Sequence, residues 1–175
     1  IISFWIACSL ALMSMSPSGE SHDIFDYLFR GRMMAEYGGN PLIDTPDTFS
    51  KKPYYRYIAW HSHIDTYGPI WEIASTGVAN GVHTIAQLGG FWTENAPSCP
   101  KSPESCRLLA AYITGYRLLA GFLVGVSGLL LLSLIRRTKP ELGPAALAAW
   151  LWCPMTLIAS TVGAHNDLLM IALFF

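Results

Sequence analysis

The sequence is short of charge. Asp, Glu, Lys and Arg together make up only 13% of its 175 residues, whereas an ordinary soluble domain carries about a quarter. A water-facing globule of this size is thereby disfavoured. There is no excess of either sign, since the formal net charge is −1, so binding to a phosphate backbone has no electrostatic basis and nucleic acid is excluded as a partner. What the chain has instead is apolar bulk: 52% hydrophobic residues, with six Trp, eight Tyr and eight Phe. That composition excludes disorder and collagen-like sequence and makes a membrane protein the default.

The apolar residues fall in blocks. Residues 1–15, IISFWIACSLALMSM, carry no charge but fall short of the roughly 20 residues a helix needs to cross a bilayer. They read as a first transmembrane helix lacking its first turn, in preference to a signal-peptide core, because no positively charged region precedes them. A second span is expected over 108–135 and a third over 144–162, joined by a turn at 136–143. A fourth begins at 168 and reaches 175 within an apolar run, so the chain is expected to continue. The turn RRTKPELG holds Arg136, Arg137 and Lys139 against Glu141 alone, and the positive-inside rule places it in the cytoplasm. Residues 16–107 and the turn 163–167 then lie outside, in a multi-pass protein of the cell membrane.

The exterior stretch 16–107 is too rich in aromatics to be a linker. SHDIFDYLFRGRMMAEYGGNP reads as a helix capped by Ser21, with Asp23 and Asp26 in the first turn where the helix dipole favours anions. Ile24, Phe25, Leu28 and Ala35 fall near one face, which predicts an interfacial amphipathic helix, with Arg32 snorkelling. Gly38-Gly39-Asn40-Pro41 stops it. Asp23 and Asp26 fit dipole complementation with an Asp26–Arg30 pair, or a general base beside a membrane-borne substrate; spacing does not choose. Cys99 and Cys106 flank PKSPES, and a disulfide or two free thiols both fit. Cys8 and Cys153 sit in apolar blocks as small hydrophobes.

Lys51, Lys52 and Arg56 interleave with Tyr54, Tyr55, Tyr57 and Trp60, a pattern that suits anionic headgroups, a sugar phosphate or an interfacial aromatic belt. Tyr67-Gly68-Pro69 is a turn. His61, His63 and Asp65 offer metal-ligand chemistry, although two His at this spacing also occur as plain surface residues. The segment 77–97 reads as a re-entrant or interfacial helix with Trp92 as anchor. His165, Asn166 and Asp167 place polar groups at the outer end of a helix pair, where they mark function or cap the next helix. Arg117 precedes the apolar core of the second span and must snorkel or find an anion.

Taken in order, the run S-H-D-I-F-D-Y-L-F-R-G-R-M-M-A-E-Y-G-G-N-P, then T-Y-G-P-I-W, then G-A-H-N-D-L-L-M resembles polytopic glycosyltransferases of the GT-C superfamily. The pattern is most similar to the bacterial polyprenol-phosphate-mannose-dependent mannosyltransferases. The resemblance implies an all-α polytopic membrane fold with a long extracytoplasmic first loop. It also implies inverting transfer of a sugar, with mannose the candidate, from a polyprenyl-phosphate donor to a glycan or lipid acceptor hydroxyl. Asp23 matches the catalytic base. Asp26, Tyr67, His165, Asn166 and Asp167 are expected to line the substrate site, with Arg117 near the donor phosphate. The sequence departs from the pattern at His22, Phe25 and Leu42, which leaves Asp23 the only acid at the paired position. No cofactor is firmly implied, though a divalent metal is compatible; the partners are membrane lipids, donor and acceptor. The alternatives are a non-catalytic integral subunit of a larger membrane complex and, less well matched to the long aromatic loop, a transporter.

Overall fold

The computed structural model describes residues 1–15, 21–93, 99 and 102–174. Among them the chain is helical with no strand. Its helices are α1 (Ile2–Met15), α2 (Asp23–Arg32), α3 (Pro69–Leu88), α4 (Pro103–Thr138), α5 (Gly143–Leu151), α6 (Pro154–Ile158) and α7 (Asp167–Phe174). Short π turns extend α2 through Met33–Tyr37 and α6 through Ala159–Gly163. The chain divides into two compact units, one of residues 21–116 and one of residues 1–20 with 117–175.

In the unit of 21–116, α2 occupies the centre. Ile24, Tyr27, Leu28, Phe29 and Met33 are buried, and so are Asp26, Arg30 and Arg32. This corrects the expected interfacial helix. An apolar stripe on one face is what the sequence offers, but α3 and the aromatic loop cover the polar faces as well. Close approach of α2 to α3 depends on Gly31, where a Cβ would lie 2.6 Å from the Ser75 carbonyl oxygen and 2.7 Å from the Tyr116 hydroxyl. Tyr27 packs edge-on against Tyr67 and Trp71, at 4.9 and 4.8 Å between ring centroids. The Tyr116 hydroxyl donates to the Tyr27 carbonyl at 2.7 Å. Beyond α2, Phe29, Met33 and Ile58 form an apolar cluster with Tyr37, Phe49 and Tyr55.

Local signals at the ends of α2 hold with small shifts. Ser21 Oγ accepts from the Asp23 amide at 3.2 Å, but His22 occupies the N-cap position. Gly38, at φ 71°, ends the helical run as the Gly-Gly-Asn-Pro signal predicts. The segment expected over 77–97 is the C-terminal half of α3, which stops at Gly89; residues 94–97 lie outside the described ones. Cys99 and Cys106 are joined by a disulfide with a Cα–Cα distance of 4.8 Å. It sits beside the aromatic loop, where the Tyr57 hydroxyl donates to the Cys99 carbonyl at 2.8 Å.

In the other unit, α4 packs on α5. Gly128 admits Leu147, Trp150 and Leu151, and Trp150 Nε1 donates to the Val124 carbonyl at 3.1 Å. Ser127, Ser160 and Thr161 return their hydroxyls to carbonyls of the preceding turn, as apolar helices require.

Four membrane segments were expected, and the helices support a narrower statement. With 36 residues and a long apolar stretch, α4 is long enough to cross a bilayer, since at 1.5 Å per residue it extends about 54 Å. The expected third span is interrupted at Cys153-Pro154, where the two helical pieces bend by 51°, so that together they count as at most one further span. Pro154 removes a backbone donor and resists the straight continuation. The 14-residue α1 and the 8-residue α7 are shorter than a crossing, and Phe175 lies outside the described residues.

Candidate functional site

The expected turn at Tyr67-Gly68-Pro69 is held by a side chain upstream of it. Asp65 Oδ2 accepts from the backbone amides of Tyr67 and Gly68 at 3.0 and 2.8 Å. Gly68 supplies φ 91° and Pro69 begins α3 at its first position, where a missing amide costs nothing. The Asp65 amide is itself anchored on the Pro41 carbonyl at 2.7 Å. Tyr67 is thereby set against Tyr27 of α2.

Between this turn and the start of α2 lies a cavity of about 360 Å³, lined by Asp23, Arg30, Trp60, His63, Ile64, Thr66 and Tyr67. Its size suits a small ligand or part of a larger one. Arg30 is 2% exposed. Its Nη2 donates to the carbonyls of Trp60 and His63 at 3.2 and 2.9 Å, while Nε and Nη1 are buried without hydrogen-bond partners. A guanidinium has five N–H donors in a fixed fork, so Arg30 keeps donor capacity beside the cavity. Its expected pairing with Asp26 is present but loose, at 4.0 Å.

Asp26 is fully buried and does not line the cavity. Burial pushes its carboxyl up to about 6, against the pull of Arg30 and of nearby backbone amides at Ala59 and Trp60, with the charge of Asp23 adding to the rise. Neither Asp26 oxygen forms a hydrogen bond of full geometry; the amides act at longer range. Tyr67 has its hydroxyl pushed up by burial and by the carboxylates of Asp23 and Asp26, which keeps it a hydrogen-bond donor at neutral pH.

Behind Arg30 sits a carboxyl that sequence reading overlooked. Glu72, in the first turn of α3, is fully buried. Burial pushes it up to about 9, and the facing Asp65 carboxylate adds to the shift. Glu72 is therefore protonated at neutral pH. Its place four residues after Gly68, next to the tryptophan of Y-G-P-I-W, was the available signal.

Asp23, Asp26 and Tyr67 are thus brought together in one unit, and Arg117 and the turn 163–167 belong to the other. There, Arg117 Nη1 donates to the Met13 carbonyl at 3.2 Å and Nη2 to the Val162 carbonyl at 3.4 Å. These carbonyls lie near the C-terminal ends of α1 and of the π turn after α6, where helix dipoles favour a cation. Val162 directly precedes the Gly-Ala-His-Asn-Asp turn. Ala164 adopts a left-handed φ of 50°, and the His165 ring lies so close over Gly163 that a Cβ there would approach it to 2.6 Å. Asn166 accepts from the Leu169 amide at 2.9 Å through its carbonyl, and Asp167 opens α7.

The histidines considered as metal ligands are otherwise engaged: His61 Nδ1 contacts Asp47 Oδ1 at 3.0 Å, and His63 Nδ1 contacts Ser62 Oγ at 3.2 Å. Among the described residues no three His, Cys, Asp or Glu side chains converge as a metal site. Comparison of the chain with protein-family models, with curated proteins and with solved structures gave no match.

Proposed function

We propose that the chain is part of an inverting membrane glycosyltransferase that uses a polyprenyl-phosphate sugar donor, with Asp23 as the catalytic base. The observation that carries this reading is the cavity that Asp23 shares with Arg30, a buried cation with unused donors. In the proposed step an Asp23 oxygen takes the proton of the acceptor hydroxyl as that oxygen attacks the anomeric carbon. The bond from the anomeric carbon to the phosphate oxygen breaks, and the phosphate leaves with the electron pair. A phosphate leaving group needs little protonation, so one carboxylate suffices. The positive charge of Arg30 beside the cavity stabilises the charge that grows on the departing oxygen. Tyr67, Trp60 and His63 supply a rim for the sugar ring, and Asp26 tunes Arg30 from within.

The resemblance adds the remaining parts of the proposal. These are a multi-pass topology, an extracytoplasmic site, mannose as the sugar, and substrate-binding roles for His165, Asn166 and Asp167, with Arg117 near the donor phosphate. The test is transfer by the full-length protein in membranes from a radiolabelled polyprenyl-phosphate mannose to a glycan or lipid acceptor. Asp23→Asn is expected to lower the rate by about 10²–10⁴-fold, the usual scale for a lost general base, with the circular dichroism spectrum unchanged. An Asp23→Asn protein that transfers sugar at the wild-type rate removes Asp23 from the role.

A further inference from the structure

Arg32 lies two residues beyond Arg30 on α2, fully buried and away from the cavity that holds Asp23. Its Nε and Nη2 both donate to Glu36 Oε2, at 2.9 and 2.6 Å. The other Glu36 oxygen accepts from the Tyr112 hydroxyl at 2.8 Å. The guanidinium is surrounded by the rings of Tyr37, Tyr54, Tyr112 and Trp92, at 5.2–5.8 Å from their centroids, and its Nη1 is buried without a partner. Arg32 and Glu36 therefore cancel in charge, and both Glu36 oxygens are already used.

Against this cage opens a second cavity, of about 380 Å³, lined by Ala35, Glu36, Tyr37, Lys52, His83, Gln87 and Trp92. Lys52 stands over the Tyr37 ring at 5.0 Å and, among the described residues, forms no ion pair. Among the described residues that line the cavity, it is the one charge without a compensating partner. His83 stacks flat on Trp92, with ring centroids 3.9 Å apart. Stacking uses the face of the imidazole and leaves its nitrogens, which lie in the ring plane, at the edge. Gln87 follows His83 by one turn on the same face of α3. An ammonium, an imidazole N–H and an amide NH₂ therefore border one space whose only carboxylate among the described residues is neutralised. That set of donors suits a group with several anionic oxygens, and a lysine serves such a group as a point charge.

We propose that this cavity binds a phosphate group, carried either by a lipid headgroup or by a soluble phosphate. The site is separate from the Asp23 cavity, and the proposal does not depend on the proposed function. The test places the full chain in nanodiscs. In one arm the lipid is phosphatidylcholine and orthophosphate is titrated calorimetrically; in the other the lipid is mixed with phosphatidylglycerol, and native mass spectrometry reads which lipid stays bound. Lys52→Ala and Gln87→Ala change exposed side chains and are expected to weaken binding, by about tenfold for the lysine as a lost charge-assisted hydrogen bond. Lys52→Arg is expected to restore it, and Lys51→Ala, just outside the cavity, to leave it unchanged. Binding in the first arm identifies a soluble phosphate, retention in the second a headgroup, and either supports the site. Absence of both, wild-type binding by Lys52→Ala, or an equal loss in Lys51→Ala overturns it.

Discussion

Two buried carboxyls, Asp26 and Glu72, depart in the same direction from their ordinary acidity, and for the same reason. Each loses water on folding, and the partial neutralisation by Arg30 does not make up the loss. The consequence for stability has a definite sign. Glu72 is raised to about 9, so between its unfolded value near 4.5 and 9 the folded chain holds a proton that the unfolded chain has released. Stability attributable to Glu72 is therefore fully present below about pH 4.5 and is lost as pH rises towards 9, by at most about 1.4 kcal/mol per pH unit. Glu72→Gln keeps a neutral polar group of the same shape and is expected to abolish that slope. Thermal unfolding of both proteins in detergent between pH 5 and 9 checks this, and parallel pH profiles would show that Glu72 does not hold a proton in the folded chain. The sequence marks Glu72 only by its place after the Tyr-Gly-Pro turn; its burial, and with it the shift, follows from the fold.

At the level of elements, the ends of helices were more legible than their surroundings. Gly38-Gly39-Asn40-Pro41 marked the end of the helical run from α2 because backbone geometry there is a local matter. The covering of that helix was not legible, because it depends on segments distant in sequence. Gly31 illustrates the difference. As a glycine inside a helix it looks like a weakness, yet Ser75 and Tyr116 close over it. Gly31→Ala is expected to destabilise the protein by about 1–3 kcal/mol through overpacking despite the better helix propensity of alanine, measured as a fall in unfolding temperature. A rise would mean that α2 and α3 are less tightly apposed than Gly31 indicates. The break at Pro154 belongs to the same scale: hydropathy saw one continuous apolar block over 144–162, and a single missing amide divides it.

At the scale of the molecule, the low charge and the apolar blocks pointed to helices, and the described residues are helical, with α4 the one helix among them able to cross a membrane, two if the bent pair counts as a span. The Cys99–Cys106 bond ties the start of α4 to the aromatic loop through Tyr57 and Arg56, both of which donate to the Cys99 carbonyl. It closes a short loop, so Cys99→Ser is expected to cost about 2 kcal/mol, read as a shift of thermal unfolding that reductant reproduces in the wild type and not in the variant. An equal stability of the two proteins would show that the loop is held by its hydrogen bonds alone.

Composition and hydropathy act residue by residue or along one stretch of chain, and they settled what such terms can settle: helices rather than strands, a polar aromatic segment between apolar ones, the turn at Tyr67-Gly68-Pro69, and Asp23 at the head of a helix. The partnership of Asp23 with Arg30, Trp60 and His63 came only from the tertiary structure. So did the burial of Asp26 and Glu72 and the gathering of Lys52, His83, Gln87 and Trp92 around the Arg32 cage. Trp60 lies 30 residues beyond Arg30 and His83 31 beyond Lys52, and desolvation, which sets the charge and the chemistry of such groups, has no value until the chain has folded around them.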